Sequence, residues 1–288
     1  MRSLRLALGM VLPLALACGG SETGPGTTAG QTSVFLTDAP FPFDGVSRVD
    51  IHVVSIAFAL RADTSDGDLP WVTVATPDRT FNLFDLQNGS TSLLGGAVIP
   101  PGDYMAVRMI IDPNRSSITD TDGHVITSTE TPGTPGIDWQ AKGSEPSLFA
   151  QVEEPVAIDA NGEDIVLDFD VGRSFLYDGH GGFTFIPWLR AIVRSASGAV
   201  TGVVTRADGG EPIVNAAISV QMAFDSSGVV GPVVATSRSA SDGRFTAAFL
   251  RPGSYYVVAE DLARDVVSIS KKVEVRAGGT ADAGEISF

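Results

Sequence analysis

Thiols, cations and helical periodicity are all scarce in this chain, and each shortage removes a class of function. A single cysteine, Cys18, excludes an intrachain disulfide and any multi-cysteine metal site. Only 19 lysines and arginines stand against 34 acidic residues, a formal net charge of −15. So acidic a surface repels nucleic acid phosphates and anionic membranes alike, so no nucleic acid partner is expected. The three histidines, His52, His124 and His180, are far apart and none lies in a His-x-His or His-x3-His spacing. There is no Gly-x-Ser-x-Gly elbow for a serine nucleophile. Nor does any stretch keep a helical hydrophobic period over three turns.

The N-terminus carries a localisation signal. Arg2 and Arg5 precede an apolar run over residues 6–16, which closes on Ala17 just before Cys18. These are the charged, apolar and small-residue regions of an export signal. The run is far shorter than the roughly 20 residues a bilayer span needs. Ala15-Leu16-Ala17-Cys18 resembles the lipobox of bacterial lipoproteins. That resemblance implies cleavage before Cys18, a diacylglycerol thioether on its sulfur and acylation of its new amino group. Residue +2 is Gly19 and not aspartate, which by the same resemblance implies an outer-membrane or cell-surface destination. Residues 19–26, rich in Gly, Ser, Thr and Pro, read as a flexible tether. With Cys18 lipidated no thiol remains for cysteine chemistry.

Beyond the tether, apolar residues alternate or are β-branched. Candidate strands cover residues 33–37, 48–54, 105–111, 164–170 and 182–186. In the second of these, Arg48, Asp50 and His52 fall on one face and Val49, Ile51 and Val53 on the other, the period of a half-buried strand. Asn88-Gly89, Asp122-Gly123, Asn161-Gly162 and Asp178-Gly179 supply turns between them. The expected fold is all-β, two antiparallel β-sandwich domains in tandem. The layout is a signal peptide (1–17), a tether (18–30), a first sandwich (31–195) and a second (197–288), joined so closely that the two should touch.

Both sandwiches have family resemblances. Leu36-Thr37-Asp38-Ala39-Pro40, Phe84-Asp85-Leu86-Gln87-Asn88-Gly89, Pro101-Gly102-Asp103-Tyr104, Leu167-Asp168-Phe169-Asp170 and Phe185-Ile186-Pro187-Trp188-Leu189-Arg190 resemble domain-of-unknown-function family 4382. That family recurs in bacterial lipoproteins and implies no activity. Val200-Thr201-Gly202-Val203, Asp242-Gly243-Arg244-Phe245 and Pro252-Gly253-Ser254-Tyr255 resemble the carboxypeptidase regulatory-like, transthyretin-like domains. That resemblance implies a small sandwich related to carbohydrate-binding-like folds, without catalytic residues. Physically, Gly202 permits a close backbone approach, Gly243 takes positive φ in a tight turn, and Tyr255 closes a corner, as Tyr104 does in Pro101-Gly102-x-Tyr104.

The remaining candidates each have a plainer reading. Gly179-His180-Gly181-Gly182 precedes a strand and reads as a hairpin loop, not a phosphate cradle. Asp63-Thr64-Ser65-Asp66-Gly67-Asp68 and Asp120-Thr121-Asp122-Gly123 resemble halves of calcium loops but lack the closing glutamate, so no metal is assigned. Asp168 with Asp170, or Glu153 with Glu154, would have to serve as the acid/base pair of a hydrolase, but strand neighbours at i, i+2 are commonly just solvated. Of the tryptophans, Trp188 between Pro187 and Leu189 suits a core, whereas Trp139 in the polar Asp138-Trp139-Gln140 suits an exposed sugar platform; Trp71 is the third. No cofactor is expected. The functional expectation is a lipid-anchored envelope protein that binds or scaffolds without catalysis, its ligand a glycan, cell-wall polymer or envelope protein. The alternative is an envelope hydrolase acting on a surface polymer.

Overall fold

The computed structural model describes residues 30–39, 45–60, 70–129, 134–139, 147–224 and 230–288, with the backbone alone over 147–154. Cys18, the leader and the tether up to residue 29 lie outside the described residues.

The chain folds almost wholly into strands around two hydrophobic cores. In the first domain, a four-stranded sheet runs Leu189–Val193, Asp164–Asp170, Gly30–Ala39, Ser92–Ile99. It packs against a larger sheet whose order is Ser147–Ile158, Gly102–Ile111, Val46–Ala59, Ser117–Asp120, Val125–Ile126. Between the sheets lie Val34, Leu36, Ile51, Val53, Phe58, Met109, Leu167 and Phe169. The alternation predicted for residues 48–53 holds for Val49, Ile51 and Val53. His52, on the polar face, is buried as well.

The second domain pairs a three-stranded sheet, Arg244–Leu250, Gly198–Thr205, Thr280–Ser287, with a larger one built on Val230–Arg238, Ala217–Ala223 and Gly253–Asp261. Its core is Val200, Val204, Ile218, Val220, Val257, Ala259, Phe245 and Tyr255. A Cβ on Gly202 would sit 2.7 Å from the Phe245 ring and 2.9 Å from the Gly284 carbonyl, which is why that strand carries glycine. Gly243 has φ +75°, the left-handed turn read from Asp242-Gly243.

The all-β, two-domain architecture follows the alternation, but the sheets are not purely antiparallel. Gly30–Ala39 lies parallel to Asp164–Asp170, and Gly198–Thr205 lies parallel to Thr280–Ser287. Period-two alternation specifies a strand and its buried face. Direction depends on which end of the sheet a long excursion re-enters, and that is not a local property.

The two corners are real and alike. The Tyr104 hydroxyl donates to the Pro100 carbonyl and the Tyr255 hydroxyl to the Arg251 carbonyl, each at 2.8 Å and each four residues back. Both hydroxyls titrate above the ordinary tyrosine range because burial disfavours the phenolate.

The domains meet at a specific joint. The Asn88-Gly89 turn, with φ +59° and +81°, projects from the first domain onto the second. Asn88 Oδ1 accepts from Ser237 Oγ at 2.8 Å and from the Arg238 backbone N–H at 3.2 Å. A Cβ on Gly89 would come within 3.0 Å of Ala248 Cβ, so glycine sets the depth of this contact. Opposite the turn, Phe249 holds φ +57°, a left-handed conformation that bulky residues rarely take. The connection is pinned by Ser197, whose N–H and Oγ both donate to the Arg194 carbonyl.

Candidate functional site

A cleft of about 400 Å³ opens beside this joint and draws its walls from both domains. The first domain supplies Asp168, Asp170, Arg173, Trp188 and Arg190; the second supplies Arg251, Tyr255 and a strip from Pro232 to Thr236. The strand ending in Asp168-Phe169-Asp170 and the short helix Val171–Ser174 that follows place the first group. Phe169 and Val171 are pulled into the core, which leaves the two aspartates facing the cleft.

Each aspartate is held by an arginine. Asp168 and Arg190 are cross-strand partners, and their side chains meet at 2.6 Å. Asp170 caps the short helix by accepting the Arg173 N–H at 2.9 Å, and its other oxygen lies 3.3 Å from Arg173 Nε. Arg173 also lies over the Trp188 ring at 4.8 Å and donates to the Val233 carbonyl across the joint at 3.3 Å. Burial pushes the Asp170 carboxyl above its ordinary range, with Asp168 adding to the rise. The helix-cap bond and the Arg173 and Arg190 charges oppose it.

Behind them sits Asp38. Burial raises its carboxyl well above the ordinary range, and Asp168 and Asp170 add to the shift. The Val171 N–H donates to it at 3.2 Å and Gln87 Nε2 at 3.4 Å, pulling the other way. The two family segments holding Asp38 and Asp168/Asp170 are therefore one cluster in space.

The tryptophans reverse their expected roles. Trp139 is 7% exposed, packed 4.8 Å from Phe185 and 5.8 Å from Phe175, with Nε1 donating to Ser128 Oγ. Its polar neighbour Asp138 ends the short strand Ile137–Asp138, and the next residue, Trp139, is buried. Trp188 is 49% exposed at the cleft, because the core positions on either side go to Phe185 and Leu189. Trp71 lies under the Arg108 guanidinium at 4.6 Å.

The histidines remain apart, but each has a local partner. His52 Nδ1 meets Thr80 Oγ1 at 2.9 Å and its Nε2 meets Asp78 Oδ1 at 3.0 Å; Asp78 also binds Arg115. This ties the Arg79–Asn82 strand to Val46–Ala59 and adjoins neither cleft described here. His180 belongs to the expected hairpin loop, where Asp178 Oδ1 accepts the His180 and Gly182 N–H groups.

A second cleft, about 670 Å³, is lined by Val46, Val125, Ile126, Tyr177 and Phe183, with Asp120 and His124 at its rim. Ligand-capable atoms of Asp120, Asp122 and His124 lie within 4.8 Å of one another, a grouping the separate readings of histidines and acidic turns missed. The i, i+2, i+4 spacing was the available signal. Asp120 and His124 already satisfy each other at 2.8 and 2.9 Å, so the Asp120 carboxyl sits low and the His124 imidazole high. Three ligands fall short of the six or more oxygens calcium requires. The Asp63 to Asp68 turn and the Glu153 and Glu154 side chains lie outside the described residues.

Comparison with known proteins gives two family matches. A family described as Domain of unknown function (DUF4382) matches residues 29–187, and one described as Carboxypeptidase regulatory-like domain matches residues 199–287. No curated protein matches. Among solved structures, a 9R-lipoxygenase from Cyanothece PCC8801 overlaps at 15% identity and TM-score 0.24, covering 32% of this chain and 16% of that one. The Bacillus anthracis TIE protein overlaps at 8% identity and TM-score 0.24, covering 90% and 34%. Shaft pilin SpaA from Lactobacillus rhamnosus GG overlaps at 11% identity and TM-score 0.24, covering 90% and 97%. Overlaps this loose carry no argument here.

Proposed function

The chain belongs to the DUF4382 family, a family without an assigned function, and from that premise we propose a non-catalytic binding module held at the cell envelope by a lipid on Cys18. Its ligand on this reading is a carbohydrate or cell-wall polymer, taken up at the cleft between the two sandwiches. One observation carries the reading: Trp188, half exposed and backed by Arg173, stands at a cleft built from both domains. An exposed indole is a large rigid surface on which a sugar ring can stack, and a neighbouring ion pair offers planar hydrogen-bonding groups to ring hydroxyls. The absence of catalysis is supported by the state of the carboxylates. Asp168 is committed to Arg190, and Asp170 to a helix cap and Arg173, whereas a glycosidase needs two carboxyl groups presented to the scissile bond.

The anchor and the cleft are tested separately. Cys18→Ser should abolish labelling by a fatty-acid probe and release the protein from membranes. Trp188→Ala should abolish retention on envelope polysaccharide and on a glycan array while leaving the thermal midpoint within a few degrees of wild type. Unchanged retention by the Trp188→Ala protein overturns the cleft as the binding surface.

A further inference from the structure

The two edges of the second domain's larger sheet are built differently. One edge, Val230–Arg238, carries Pro232, slips register twice against Ala217–Ala223 and is met by Asn88 and Arg173 of the first domain. The other, Val266–Ile269, has no proline and pairs with Gly253–Asp261 without a bulge. Among the described residues no strand lies on its far side. The Ser270 N–H donates to the Val257 carbonyl at 2.8 Å, so the even-numbered residues turn their backbone groups toward that neighbour. Val267 and Ile269 turn theirs outward, away from it. Their side chains stand on the sheet's outer face, opposite Glu260 and Val258, and are 58% and 52% exposed. An open strand edge with exposed aliphatic side chains is a template for another strand.

The odd-numbered residues here read Asp265, Val267, Ile269, Lys271, a series that complements itself when reversed. Among the described residues, neither Asp265 nor Lys271 has an ion-pair partner in its own chain. We propose that Val266–Ile269 pairs antiparallel with the same strand of a second copy, about a two-fold axis through Ser268. Val267 then exchanges ladder hydrogen bonds with the second copy's Ile269, and symmetry repeats the pair. Asp265 falls opposite Lys271 at each end. Moving the axis to Val267 sets Asp265 against Ile269, and moving it to Ile269 sets Val267 against Lys271, so charge and apolar pairing together select one register. Arg264 and Lys272 also come opposite each other, but each is turned to a carboxylate of its own chain, Asp261 at 3.9 Å and Glu274 at 3.8 Å. The edge is short, so the dimer is weak and depends on concentration.

The test uses the full chain carrying Cys18→Ser, in which any introduced thiol is the only one. Ser268→Cys puts that thiol on the axis, at a non-hydrogen-bonded pair whose Cα atoms lie about 4.5 Å apart, within disulfide reach. Under mild oxidation with glutathione it should give a disulfide dimer at least about tenfold faster than Val98→Cys, an exposed position on an edge strand of the first domain. In sedimentation, Lys271→Asp should weaken self-association by about tenfold, because it sets like charges opposite at both ends. Adding Asp265→Asn, which suits that residue's φ of +56°, removes the repulsion and should recover most of the loss. Within one chain the two residues stand roughly 20 Å apart along the strand, so the recovery reports a contact between copies. A chain that stays monomeric at millimolar concentration, equal cross-linking from positions 268 and 98, or an Asp265→Asn change that recovers nothing each overturns the proposal.

Discussion

The two sandwiches solve the same packing problem with different side chains. The first fills one end with a cluster of rings, Trp139, Phe169, Phe175 and Phe185, whose centroids lie 4.8 to 6.4 Å apart. The second has few rings in its core and relies on Val200, Val204, Val220, Val257 and small alanines. Both close a corner with one tyrosine. The first domain buries Asp38 and brings the Asp168–Arg190 and Asp170–Arg173 pairs to the cleft, whereas the second buries Asp261 beside Arg264, outside the cleft lining. The small aliphatic core leaves its partner edge plain and contributes backbone carbonyls and Arg251. The site at the joint is therefore asymmetric: both aspartates and two arginines come from the first domain, and one arginine with a strip of strand from the second.

That contrast can be broken most severely at Trp139. Trp139→Ala should cost about 3–5 kcal/mol by opening a cavity in the aromatic layer, seen as a large fall in the first domain's melting midpoint. The second domain, with its separate core, should hold its own transition in the same scan.

Asp38 tests the polar margin. Its folded-state carboxyl titrates above its unfolded value because it is buried. The folded state therefore binds the proton more tightly, and stability is greatest below the unfolded carboxylate range. It is lost as pH rises from there through the raised folded value. Asp38→Asn should flatten this slope, so that the difference in melting midpoint between variant and wild type grows with pH across that window. A constant difference would show that Asp38 is not the group responsible.

Smaller effects sharpen the joint and the corners. Asn88→Ala removes the acceptor that the Arg238 N–H and the Ser237 hydroxyl reach across the joint, while Ser237 Oγ keeps the Thr246 carbonyl at 2.7 Å; it should cost about 1 kcal/mol, read as faster proteolysis at residues 195–198. Tyr104→Phe and Tyr255→Phe each remove one hydrogen bond and should cost about 1 kcal/mol apiece. The second should shift its midpoint more, because the domain is smaller.

Much of this was legible in the residue order. Strand positions, buried faces, both tyrosine corners, the close approach at Gly202 and the turn at Gly243 follow from period-two alternation and local chain sterics, which a window of a few residues contains. The tryptophans were not legible, since burial of Trp139 depends on Phe175 and Phe185 arriving from a strand pair more than thirty residues away. The cleft was still less so. Asp38 reaches Asp168 only through a parallel pairing, and Asp168 shares a cleft with Arg251 only across a domain joint; neither leaves a local mark. His124 beside Asp120 is legible as well, in the i, i+4 spacing across one acidic turn.

The parallel pairs have a mechanical consequence. Gly198–Thr205 and Thr280–Ser287 run side by side in the same direction, so tension applied at Gly198 and at Ser287 loads their ladder in shear. Every hydrogen bond along the pair then resists at once, whereas an antiparallel hairpin pulled at its open end unzips one bond at a time.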